Sequence, residues 1–60
     1  MTDAAKRAIL DHLELNARTF GRLASTPTED EYWLDMVRRK EAVYRKAILT
    51  LKKEWEREEK

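Results

Sequence analysis

One histidine, one serine and no cysteine are the whole stock from which nucleophilic chemistry would have to be built. Such chemistry needs a nucleophile within reach of a base, and a third group that orients the base. His12 falls on the side of the first predicted helix away from its apolar stripe, whereas Ser25 falls near the main break in the chain. Carboxylates pair up, Asp11 with Glu14 and Asp30 with Asp35, but none sits among apolar neighbours that would raise its pKa. Metal binding lacks a ligand set. Ala8 and Asn16 flank His12 at four-residue spacing, so no carboxylate or second histidine shares its helical face. Without cysteine, disulfides, zinc knuckles and thiolate chemistry are excluded. The expectation is a non-enzyme with no metal, no cofactor and no small-molecule substrate, because two short helices do not enclose a ligand pocket.

The most regular spacing belongs to cations. Val37-Arg38-Arg39, Tyr44-Arg45-Lys46 and Leu51-Lys52-Lys53 repeat an apolar residue and two cations in heptad register, the coiled-coil period. Arg38, Arg39, Arg45, Lys46, Lys52 and Lys53 therefore make a strip roughly 22 Å long at about 1.5 Å per residue. A strip of that length spans several phosphates. Acids stand at pairing distance, however: Asp35 to Arg39, Glu41 to Arg45, and Glu56 to Lys52 and Lys53. The formal net charge is only +1, while nucleic-acid domains are clearly basic. The strip reads first as a solvated face, next as a contact for an acidic protein, and last as a phosphate footprint.

Charge also alternates along the second half. Glu29, Asp30, Glu31 and Asp35 precede seven cations between 38 and 53, which are broken by the single acid Glu41. Glu54, Glu56, Glu58 and Glu59 follow. Two such helices side by side and antiparallel would set one acidic tail beside another basic middle, which fixes register more than affinity.

The elements that carry these residues are helices. Charged residues make up 42% of the sixty, and apolar residues another 42%, so the chain is too hydrophobic for a disordered composition. One glycine and one proline are too few for the turns of a β-sandwich or barrel, needed every ~8–12 residues. No apolar run approaches the ~18 residues of a membrane span, and the N-terminus has no signal pattern. A cytoplasmic, all-α chain is expected.

The pattern predicts one antiparallel helical hairpin over 1–60. Helix 1 runs over about 3–24, capped by Thr2 or Asp3, with a stripe of Ile9, Leu10, Leu13, Ala17, Phe20, Leu23 and Ala24 and with Asn16 at its edge. Gly21 is its weak point, yet Leu23 and Ala24 stay in phase with Phe20, so the helix is expected to continue. The turn is placed at 25–27. Thr26 reads as an N-cap, Pro27 as the first helical residue and Glu29 as the return arm of a capping box. Helix 2 then runs over about 27–57 on Trp33, Val37, Tyr44, Ala47, Ile48, Leu51 and Trp55, with Met36 and Val43 on one flank and Leu34 on the other. Lys40 and Glu41 interrupt that stripe.

These boundaries make helix 2 the longer rod, roughly 46 Å against 33 Å at about 1.5 Å per residue. Its last turns, with Leu51 and Trp55, are then expected to overrun helix 1 and to need cover from another molecule. Below ~70–80 residues a single core rarely supplies more than ~3–5 kcal/mol, which also favours self-association. The expected form is a homodimeric four-helix bundle with a coiled-coil period, joined through Ile48, Leu51 and Trp55. Leu15, on the outer stripe of helix 1 with Ala8, His12 and Thr19, is a further candidate contact. The expected function is a small protein-interaction module or inhibitor. It would modulate a larger protein or nucleoprotein complex, as a viral or mobile-element accessory protein does. The alternative is a nucleic-acid-binding hairpin that uses the cationic strip. A surface-lying membrane helix is disfavoured, because the polar face of helix 2 mixes both signs.

Overall fold

The structure, a computed structural model, describes residues 2–58. Two α-helices, α1 (Asp3–Ala24) and α2 (Glu31–Glu58), lie against each other as an antiparallel hairpin. Glu59, the last acid of the predicted acidic tail, lies outside the described residues.

Local chemistry sets the ends. Thr2 is the N-cap of α1, and its hydroxyl accepts from the Ala5 N–H at 3.1 Å. Asp3 adds a negative charge to the first turn, and Arg22 a positive one to the last, the signs that the helix dipole favours. The helix passes through Gly21 and closes at Ala24. Its terminal carbonyls are then satisfied by side chains. Ser25 Oγ donates to Gly21 O at 3.2 Å, and Thr26 Oγ1 donates to Arg22 O at 3.1 Å.

That arrangement overturns the expected turn. Thr26 belongs to the end of α1, so it does not open α2, and the capping box at 26–29 does not form. Asp30 is the cap instead: its Oδ1 accepts from the Trp33 N–H at 2.9 Å, and its carbonyl from the Leu34 N–H. Thr28 Oγ1 holds the Asp30 N–H at 3.1 Å. The connection therefore occupies 25–30, and α2 starts four positions later than the proline suggests.

The helices meet along a narrow seam. On α1 it contains Lys6, Leu10, Leu13, Ala17, Phe20 and Ala24; on α2 it contains Leu34, Val37, Glu41, Tyr44, Ile48, Leu51 and Trp55. All are buried or half-buried. The spacing alternates between three and four, the heptad pattern of a coiled-coil seam. Ala17 and Val37 are each 2% exposed and Ile48 9%, and these three form the buried core among the described residues. Phe20 and Tyr44 stack with ring centroids 5.6 Å apart and planes inclined by 15°.

Ile9 and Leu23, expected in the core, stand at the edge, 36% and 37% exposed. The broad stripe of a globular helix needs neighbours on several sides; here each helix has one neighbour, and only the heptad seam is covered. Of the Lys40–Glu41 interruption, Glu41 takes the seam position, and Lys40 is exposed.

Nor does Trp55 lie beyond helix 1, where the rod lengths would put it. Lys6 Nζ sits over the Trp55 ring, 5.6 Å from its centroid, and 3.7 Å from Glu58 Oε2. The first turns of α1 thus reach the last turns of α2. Phe20 against Tyr44 and Gly21 against Glu41 fix the same register. With 22 residues in α1 and 28 in α2, the surplus turns of α2 lie at the loop end, not at the open end.

Candidate interaction surfaces

A two-helix seam leaves two flanks, and here their chemistry differs. One flank is a shallow groove lined by Ile9, Leu13, Val43, Ala47, Thr50 and Leu51, with Lys46 as its single charged residue. Val43 is 66% exposed in it. The heptad spacing of the seam continues on this side. Ile9, Asn16 and Leu23 form one row on α1, and Met36, Val43 and Thr50 form one on α2. Residues seven apart on a helix differ by only ~20° in direction, so each row points to one side. Leu23 and Met36, both partly exposed, thereby extend the apolar surface beyond the groove.

The other flank is charged. Glu14, Arg18, Arg45, Ala17, Ile48 and Leu49 line one hollow there, and Arg18, Gly21, Arg22, Ser25 and Arg45 line the next. Ion pairs cross it. Glu14 lies 3.8 Å from Lys52 on the opposite helix and 4.0 Å from Arg18 on its own. Arg45 grips Glu41 Oε2 with Nη2 at 2.8 Å and Nε at 2.9 Å. Gly21 makes room for that carboxylate: a Cβ there would stand 3.0 Å from Glu41 Oε2.

The residues predicted as an interface do not form one surface. Ile48 is buried in the seam, and Leu51 is half-buried between the seam and the apolar groove. Trp55 is half-buried beneath Lys6. Leu15 is 58% exposed, on a stretch of α1 that neither groove includes. The apolar flank lies outside the predicted interface, although the heptad spacing of Ile9 with Leu23 and of Met36 with Val43 marks it.

The cationic strip splits between the flanks. Arg39 pairs with Asp35 at 2.9 Å and Arg45 with Glu41, as the spacing predicts. Lys52 turns across the hairpin to Glu14 rather than along its own helix to Glu56. Lys46 borders the apolar groove. Three of the six strip cations are thus held by acids, each pair worth a few tenths of a kcal/mol at an exposed site.

His12 and Asn16 contact each other. Asn16 Nδ2 donates to the His12 carbonyl at 2.8 Å and lies 3.3 Å from His12 Nε2. Ser25 caps the C-terminal end of α1, more than three turns from His12, so the histidine and the serine do not meet. Among the described residues no group of three or more His, Cys, Asp or Glu is placed to hold a metal, and no helix is long and apolar enough to cross a membrane. Compared with known protein families, with curated proteins and with solved structures, the chain matches none.

Proposed function

We propose that the chain is a non-catalytic interaction module whose working form joins two hairpins through their apolar flanks. The observation that carries this reading is the exposed groove of Ile9, Leu13, Val43, Ala47 and Leu51 beside an intrachain core of three buried residues among those described. Two quantities support it. The chain exposes 5106 Å², whereas a compact monomer of this mass exposes about 4,100 Å². The excess, about 1,000 Å², is comparable with the ~800 Å² that each partner contributes to a standard interface. The radius of gyration is 14.2 Å, against about 10 Å for a compact chain of sixty residues and about 14 Å for one of twice that length. A second hairpin would give the rod globular proportions.

In such a bundle the ion-paired flank and the cations Arg38 and Lys53 remain outside, available to an acidic surface on a larger protein or nucleoprotein complex. Nucleic-acid phosphate is the weaker reading of these cations, since half of the strip is already engaged. Sedimentation equilibrium at micromolar concentration tests the assembly. A folded species of 7.2 kDa overturns it, and twice that mass supports it. Salt separates the outer partners: phosphate binding falls steeply with ionic strength, and a contact anchored by apolar groups does not.

A further inference from the structure

Resting on that reading, we infer that the two hairpins join antiparallel, loops at opposite ends, about a two-fold axis that passes the level of Asn16 and Ala47. The partner is a second copy of this chain, and the pattern of side chains on the apolar flank carries the argument.

Leu13 shares the apolar groove with Ala47, and Ala17 shares the opposite hollow with Ile48. Asn16 therefore stands at the level of Ala47. Each is the middle of a heptad row: Ile9, Asn16, Leu23 on α1 and Lys40, Ala47, Glu54 on α2. A face-to-face pair of hairpins has two symmetric arrangements, and both make every neighbouring helix antiparallel. They differ in which helix faces which.

With loops at the same end, α1 faces the second copy's α2. Ile9 then meets Glu54, Leu23 meets Lys40, and the Asn16 amide meets the Ala47 methyl. Both terminal contacts set a charge against an apolar side chain, and the central one leaves a polar group facing a methyl, which is costly once desolvated. With loops at opposite ends, each helix faces its own copy reversed about the axis. Ile9 then meets Leu23, Val43 meets Leu51, Lys40 meets Glu54, and Asn16 meets Asn16. Apolar faces apolar, cation faces anion, and amide faces amide. The rows Ile9–Asn16–Leu23 and Lys40–Ala47–Glu54 are each their own complement when reversed, which a two-fold interface requires.

Asn16 is the residue that sets this register. It is half-buried, and its Nδ2 is engaged within α1 at 2.8 Å. Its Oδ1 has no hydrogen-bond partner among the described residues, and a facing Asn16 amide would supply one. A lone asparagine in an apolar seam specifies register and orientation at a cost in stability. Sliding the hairpins by one heptad would set Asn16 against Ile9 or Leu23.

The chain has no cysteine, so crosslinking is clean. Asn16→Cys should oxidise quantitatively to a disulfide-linked dimer under mild oxidation, because two positions on the axis approach within the ~4.4–6.8 Å Cα separation that a disulfide needs. If instead Asn16→Cys stays reduced while its mixture with Ala47→Cys crosslinks, the antiparallel arrangement is wrong and the apolar-flank dimer stands. A spin label on Thr28→Cys gives a second measure that leaves the flank intact. Loops at opposite ends put the labels near the 48 Å length of the rod, and loops at one end put them within roughly two interhelical spacings of 8–10 Å. A monomeric wild-type chain overturns both the dimer and its geometry.

Discussion

The two flanks of the hairpin use the same helices and the same heptad spacing, yet one is apolar and the other is laced with ion pairs. On the charged side intrachain partners are to hand: Glu14 has Lys52 and Arg18, and Glu41 has Arg45. On the apolar side Ile9, Leu13, Val43 and Leu51 line a groove that the chain itself leaves open. Ion pairs at a surface are content with water on their outer side and gain little from further burial. Apolar side chains gain about 25 cal/mol for each Å² removed from water. The apolar flank is therefore the side of the hairpin that remains to be satisfied.

The sharpest way to break the contrast is to charge both flanks in turn. Val43→Glu should weaken self-association at least 100-fold, about 2.8 kcal/mol, as read by sedimentation across a concentration series. Leu49→Glu, equally exposed but on the charged flank, should shift it less than about threefold. Equal losses from the two would mean that the flanks are not functionally distinct.

A smaller effect concerns the glycine under the ion pair. Gly21→Ala removes the helix penalty of glycine and should raise stability by about 0.5–1 kcal/mol, visible in urea denaturation. The atom in the way is the end of a flexible side chain, Glu41 Oε2. A lower midpoint would show that the Glu41–Arg45 pair does not yield. Smallest of all, Glu14→Gln should cost under about 1 kcal/mol at low salt and almost nothing in high salt. A salt-independent loss would assign Glu14 a packing role instead.

Much of the architecture is legible from residue types. Thr2 as cap, the passage of α1 through Gly21 and its end at Ala24 all follow from local chemistry and phase. The start of α2 does not, because two caps compete within five residues. Thr26 followed by Pro27 is the stronger signal in isolation. Yet the Thr26 hydroxyl is already committed to the Arg22 carbonyl, so Asp30 takes the role. The surplus length of α2 lies along the connection at the loop end, and Lys6 comes over Trp55. An overrun at Trp55 follows only if the two helices start flush at the loop, and the contacts of Phe20 with Tyr44 and of Lys6 with Trp55 show that they do not. The apolar flank was legible in principle, but a broad helical stripe and a narrow heptad seam count the same residues differently. Ile9 and Leu23 look like core under the first pattern and like surface under the second.

The reversal between the helices is built from ordinary backbone. No residue among those described has positive φ, so the bend asks for no glycine and no special stereochemistry. It is clamped from one side by Ser25 and Thr26 and from the other by Asp30. A foreign peptide spliced between Pro27 and Thr28 would therefore have both its ends anchored already, and the stalk beneath would present it at its tip like a flag on a pole.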